Sequence, residues 1–210
     1  FLLCLNIIEL CYVKIMARPA IGCQQLLEAA REELIKGNGF LEISSLTQRT
    51  GLSTGALYHH FGSKSGLLAA IYKDFYEGLR EAIADSKLPE NANWATREKE
   101  RTYRFVVYHF ADPIAPILLN RIALDTQLTE LEIIYIQAMS DMAAANIRYG
   151  QKLGQLPDNF DPDSAGAYVI GGLRYGIAQQ LRVTPLPSAE QVAERLWNLT
   201  ATTLGADNSL

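Results

Sequence analysis

Residues 43 to 73, ISSLTQRTGLSTGALYHHFGSKSGLLAAIYK, contain no Asp or Glu, in a chain whose formal net charge is −4. The same stretch is sharply punctuated. Ser44–Thr50 reads as a short helix, Gly51 as a turn, Thr54–His60 as a second short helix, Gly62-Ser63 as a break, and Lys64 as the start of a longer helix. Two short helices joined by a glycine form a helix-turn-helix, which constrains this region to a small helical head. Gly51 permits the positive φ that the turn needs, and Ser53 can cap the second helix by accepting a bond from a free backbone N–H.

The rest of the chain extends the helical pattern. No run past the first fifteen residues alternates with period two, whereas several windows carry apolar residues at helical spacing. Leu26, Leu27, Ala30, Leu34 and Ile35 make one face, ended by Gly37-Asn38-Gly39. Ile43, Leu46, Leu52, Leu57 and Phe61 supply the core of a three-helix head, and Leu67, Leu68, Ile71, Phe75, Leu79 and Ile83 carry the long helix to about Lys87. Leu88–Asn93, with Pro89 and two asparagines, is a break. Further helices are expected at Ala95–Ala111, Pro113–Leu124, Leu128–Leu153 and Pro162–Val183, the last capped by Asp161 with Pro162 in its first turn. Ser188 and Gln191 make a capping box for a final helix ending near Gly205. The predicted fold class is all-α: an N-terminal helix-turn-helix domain at 17–70, joined by the long helix to a larger helical domain at 71–210.

With 210 residues, 49% of them hydrophobic, the chain can bury a substantial core. Cys4, Cys11 and Cys23 are too few and too clustered to frame a secreted disulfide scaffold, so the expected compartment is the cytoplasm. The opening FLLCLNIIELCYVKI is apolar on all sides, too short to span a bilayer, and lacks the basic start of a secretory signal. Residues 1–16 are read as a leader, with Met16 as the natural start; a docked extra helix is the alternative. No membrane partner is expected. His59, His60 and His109 lack a zinc pattern and the cysteines lack C-x-x-C spacing, so neither metal nor cofactor is expected.

The acidic total argues against binding nucleic acid by bulk charge, but its distribution allows local contact. Basic and acidic residues balance, eight against eight, from Ala17 to Lys87, and the deficit lies beyond Leu88, where ten face fourteen. Within the acid-free window, the N-terminus of the second short helix carries partial positive charge and could face a phosphate. Thr54, Gly55 and Ala56 are small enough to bring that end close to base edges, where Thr54 could hydrogen-bond a base and Ala56 touch a thymine methyl. Tyr58, His59 and Lys64 would hold phosphates.

The run Leu46-Thr47-Gln48-Arg49-Thr50-Gly51-Leu52-Ser53-Thr54-Gly55-Ala56-Leu57-Tyr58-His59-His60-Phe61, followed by Ser63-Lys64 and Leu67-Leu68, resembles the DNA-binding head of the tetracycline-repressor (TetR) family of bacterial regulators. The resemblance covers about Gln24–Ile71. It implies a double-stranded DNA operator as partner and gives the matching tyrosine and lysine, Tyr58 and Lys64, contacts to the DNA backbone. Thr47 and Thr50 depart from the small alanines usual in the first helix, and Ser44 and Ser45 stand where many relatives carry longer polar groups, so base reading from that helix is expected to be weak. Gly51-Leu52-Ser53-Thr54-Gly55 also matches the G-x-S-x-G nucleophile elbow of α/β-hydrolases, but that motif needs a buried strand before it and Leu46–Thr50 is not one. An esterase is therefore the rejected alternative, a helical interaction protein without DNA binding is the other, and the chain is read as no enzyme.

A single head reads only a few base pairs, so recognition implies a homodimer on a two-fold site. Gly166, Gly171, Gly172 and Gly176 interrupt the helix Pro162–Val183, each destabilising it by roughly 0.5–1 kcal/mol relative to alanine. Close approach of a partner helix is the first explanation and room for a ligand the second. With Gly172 and Gly176, the stripe Val192, Leu196 and Leu199 is the expected interface, which the resemblance makes a four-helix one. Tyr108, His109, Arg121, Asp125, Tyr135, Met139, Met142, Tyr168 and Tyr175 fit, as a set, an apolar pocket with a few orienting polar groups. By resemblance that pocket would take a small-molecule inducer that releases the operator.

Overall fold

The computed structural model describes residues 21–84, 92–121 and 126–206, apart from the side chains of Ile21, Arg121, Thr126 and Gln127. The expected leader, the far end of the long helix at Lys87, and two of the ligand candidates (Asp125 and the Arg121 side chain) lie outside the described residues. Among the described residues every regular element is a helix: α1 Ile21–Lys36, α2 Ile43–Thr50, α3 Thr54–Phe61, α4 Lys64–Ala82, α5 Trp94–Ala111, α6 Ala115–Arg121, α7 Thr126–Lys152, α8 Pro162–Gln180 and α9 Ala189–Leu204. No helix among these residues is long and apolar enough to cross a membrane. The chain divides into two units, with the boundary between Ile71 and Tyr72 inside α4.

In the first unit α1 packs on α2 and α3. Leu26, Ala30, Leu34, Leu46, Leu57 and Leu67 are buried there. Ile43, Leu52 and Phe61, expected in the same core, are only half-buried at its edge. Gly51 ends α2 in the left-handed region, φ 70°, and its N–H bonds to Thr47 O at 3.0 Å. A side chain would strain that conformation, so the turn between the short helices depends on this glycine.

The second unit is built on the α7–α8 pair, with α9 against α5 and α8, and α6 against α8. Its helix starts are capped: Asn93 Oδ1 accepts from Thr96 N–H at 2.8 Å, Asp161 Oδ2 from Ser164 N–H at 2.7 Å, and Ser188 Oγ from Gln191 N–H at 3.2 Å. Two of the boundaries that differ from the sequence reading have a local cause. Asp112 Oδ1 accepts from Ile114 N–H at 3.1 Å, which turns the chain and delays α6 from Pro113 to Ala115. At the end of α8, Arg182 N–H bonds to Gln179 O at 3.1 Å and Val183 N–H to Gln180 O at 3.1 Å, so the last turn tightens and the helix stops at Gln180. Trp94, Ile147, Leu156, Trp197, Ala201 and Leu204 form a buried cluster. It is tied by Trp94 Nε1–H donating to Asn146 O at 2.8 Å and Trp94 N–H donating to Gln155 Oε1 at 2.6 Å.

Candidate nucleic-acid interface and ligand cavity

Ser53 Oγ accepts the Ala56 N–H at 3.2 Å, fixing the start of α3. This places Ser53 as a helix cap between two helices, a setting unlike the strand-to-helix turn of a nucleophile elbow. Thr54 and Gly55 are exposed at that end and Ala56 is half-buried. A Cβ built on Gly55 would meet only Ser53 Oγ, at 3.5 Å, so the helix end is open. Tyr58 is 49% exposed, and His59, His60 and Lys64 are exposed as well. The candidates on α3 and at the start of α4 therefore stand on the surface of one small head.

The cations of the acid-free window are not equivalent. Arg49 is paired with Glu32 and lies 3.9 Å from Glu33, both on α1, while Lys73 lies 3.6 Å from Glu77. Lys64 is left as the window's one cation with no carboxylate partner among the described residues. The threonines of α2 turn inward on their own helix: Thr47 Oγ1 donates to Ser44 O at 3.0 Å and Thr50 Oγ1 to Leu46 O at 2.9 Å. Thr50 Oγ1 also accepts from Leu52 N–H at 3.3 Å, which supports the turn. Ser44 is exposed and Ser45 half-buried.

The second unit holds a cavity of about 50 Å³ walled by α5, α7, α8 and α9. Of the described ligand candidates, Met139 and Met142 line it and the others do not. Tyr108 donates its hydroxyl to Phe75 O at 2.9 Å, and Tyr135 stacks on Tyr76 at 4.9 Å. His109 is fully buried with its Nδ1 bonded to Phe105 O at 2.7 Å, while Nε2 has no hydrogen-bond partner among the described residues. Burial pushes its pKa down to about 4, with Arg174 adding to the shift against the opposing effects of the Phe105 carbonyl and Asp112. Tyr168 and Tyr175 are 65% and 70% exposed and point away from the cavity. Helix phase explains this: Val169, Ile170 and Leu173 of α8 line the cavity, and Tyr168 and Tyr175 fall on the opposite stripe.

Sequence reasoning missed Trp94, Trp197 and Asn146, which also line the cavity. The two tryptophans sit on the apolar faces of α5 and α9 with ring centroids 6.4 Å apart, and their burial was legible from those faces. It missed, too, a polar cluster beside the cavity-lining helices. Arg174, buried on α8, bonds to the Tyr76 hydroxyl and to Glu132, and the Tyr72 hydroxyl donates to Tyr76 at 3.4 Å. Burial, reinforced by Tyr76, pushes the Tyr72 pKa far above its ordinary value.

Residues 26–71, from Leu26 in α1 to Ile71 in α4, match the family of bacterial regulatory proteins, tetR family. The head of the chain is therefore a TetR-family head. A relative, the HTH-type transcriptional repressor AcnR of Corynebacterium glutamicum, is 29% identical over 85 residues, covering 40% of this chain and 45% of AcnR. The match thus spans less than half of that relative's length. In fold, the chain is similar to the fatty acid degradation regulator FadR of Bacillus halodurans, with a TM-score of 0.76 and 15% identity over 90% of this chain and 100% of that one. It is similar also to RolR in complex with resorcinol, with a TM-score of 0.65 and 17% identity over 89% of this chain and 88% of that one.

The residues expected at a subunit contact separate into two groups. Val192 is 1% exposed and belongs to the chain's own core, so the interface assignment made for it is corrected. Gly176 is covered from within: a Cβ there would meet Leu196 Cδ2 at 2.7 Å. Gly166, read with the same set, lies against α7, where a Cβ would come within 2.6 Å of Ser140 O and 2.7 Å of Ala144 N. Gly171 and Gly172 meet nothing within 4 Å. They share an exposed stripe of α8 with Tyr168 and Tyr175, and Leu199 on α9 is 67% exposed.

Proposed function

We propose that the chain is a ligand-responsive transcriptional regulator, a repressor, that binds a two-fold operator as a homodimer in the cytoplasm and is released by a small-molecule inducer. The observation that carries the reading is the open, acid-free end of α3, with Thr54 and Gly55 exposed, Tyr58 and His59 beside them, and Lys64 one turn beyond. Thr54, Gly55 and Ala56 read bases, Ser44 and Ser45 add weak contacts from α2, and Tyr58, His59 and Lys64 fix the head on the phosphates. Lys64 being the window's sole unpaired cation among the described residues, one head binds weakly and two are needed. Gly172 and Leu199, with Leu196 at the edge, supply the self-complementary face.

The names of two similar proteins support the finer points. AcnR is a transcriptional repressor, and RolR forms a complex with resorcinol. A ligand that fits one conformation of the second unit better than the other shifts the dimer's population away from the DNA-binding state. The test is a gel shift with DNA from upstream of the chain's own gene. The wild type should retard it as a dimer, and a Thr54→Ala, Tyr58→Ala double variant should not; equal retardation by both would refute the reading.

A further inference from the structure

The cavity of the second unit says what kind of molecule it takes, and the inference rests on reading that unit as the ligand-sensing part. We infer that the ligand is small, uncharged and built on a single flat ring that carries one hydrogen-bond acceptor.

The charge follows from the wall. Its charged residues among those described are Glu98 and Arg101, and they satisfy each other: Arg101 Nε–H donates to both Glu98 carboxylate oxygens, at 3.2 and 3.1 Å, and Nη1–H donates to Ile83 O at 2.7 Å. A cationic or anionic ligand would lose its hydration and find no free counter-charge, which strongly disfavours it.

The ring follows from Trp94 and Trp197. Trp94 Nε1–H is already taken by Asn146 O, so this side chain offers the cavity a π surface rather than a donor. The acceptor follows from Asn146, whose Nδ2 is buried with no hydrogen-bond partner among the described residues. An unpaired buried donor is unfavourable until something accepts from it, so a ligand oxygen placed there binds more tightly than the bare ring. Size follows from the volume. About 50 Å³ holds roughly three to five water-sized spheres. One ring fits only if the wall yields, and the yielding residues are Met139 and Met142, whose unbranched chains repack readily.

Trp94 and Trp197 are the only tryptophans of the chain, and both line the cavity, so tryptophan fluorescence reports its occupancy directly. The full chain is titrated with benzyl alcohol, toluene, benzoate and benzylamine. Benzyl alcohol should change the signal saturably, about tenfold more tightly than each of the other three. Asn146→Leu should bring benzyl alcohol down to the affinity of toluene while leaving toluene's own affinity in place, with circular dichroism confirming that the variant is folded. Benzoate or benzylamine binding as tightly as benzyl alcohol overturns the uncharged ligand. Toluene matching benzyl alcohol on the wild type overturns the acceptor, a comparison that needs no variant. A linear, unsaturable response to all four overturns the site. Operator retardation measured on the same samples separates the two readings: saturable binding of benzyl alcohol by a chain that does not bind DNA supports the ligand class and refutes the regulator.

Discussion

Replacing His109 by glutamine should remove a defined pH dependence from the stability of the second unit. The imidazole is fully buried and edge-on to Phe75, and its pKa falls from the ordinary 6.5 to about 4, mainly because burial disfavours the cation. Arg174 opposes protonation as well, whereas the Phe105 carbonyl and Asp112 favour it without prevailing. The folded state therefore keeps His109 neutral where the unfolded chain takes up a proton. A depressed histidine pKa contributes stability that is intact above pH 6.5 and is lost as the pH falls toward 4. Linkage gives a loss of about 2 kcal/mol between pH 7 and pH 5, and about 3 kcal/mol once both states are protonated. Urea melts of the wild type and His109→Gln at pH 7 and pH 5, followed by circular dichroism, isolate this contribution from that of every other titrating group. The wild type should lose about 2 kcal/mol more than the variant over that interval. Parallel losses would mean that His109 is hydrated or already protonated in the fold, and the burial argument would fail with it.

Three further predictions concern the head and α8. Lys64→Ala should weaken operator binding about evenly across sequences and lower the slope of log affinity against log salt by about one, since it removes one phosphate contact; fluorescence anisotropy at several salt concentrations reads the slope, and an unchanged slope refutes the contact. Gly166→Ala should destabilise the chain by about 1–3 kcal/mol in urea melts, because the new Cβ meets the backbone of α7 at 2.6 Å. Gly172→Leu meets open space within the chain and should fold, yet it should weaken the dimer in sedimentation equilibrium; an unaltered dimer removes this stripe of α8 from the interface.

The head was legible because its causes are local. Gly51, the Ser53 cap and the buried pair Leu46 and Leu57 all act within a dozen residues of one another, so the sequence pattern and the structure express the same constraints. Arg49 marks the limit of that reading. Its charge counted toward a DNA surface until α1 brought Glu32 and Glu33 beside it from seventeen and sixteen positions upstream. In the second unit the helices were legible but their neighbours were not. The bond from Trp94 to Asn146 O crosses 52 positions, and no periodicity within α5 points to it.

The glycines of α8 carry the point furthest. Their unfavourable effect on the helix is visible in sequence and demands compensation, yet it is the same at all four positions. Close helix approach supplies that compensation at Gly166, and Leu196 occupies the space over Gly176; neither needs a second chain. At Gly171 and Gly172 nothing within the chain supplies it. The phase of α8 groups just these two with Tyr168 and Tyr175, at the i, i+3, i+4, i+7 spacing of one helix face. Read as a stripe, the four residues could never have lined a pocket on the side of Val169, Ile170 and Leu173, and the two tyrosines belong with the interface candidates. Two glycines flanked by exposed aromatic rings form a shallow notch between two knobs, a shape that an antiparallel copy of the same helix can fill from both sides at once.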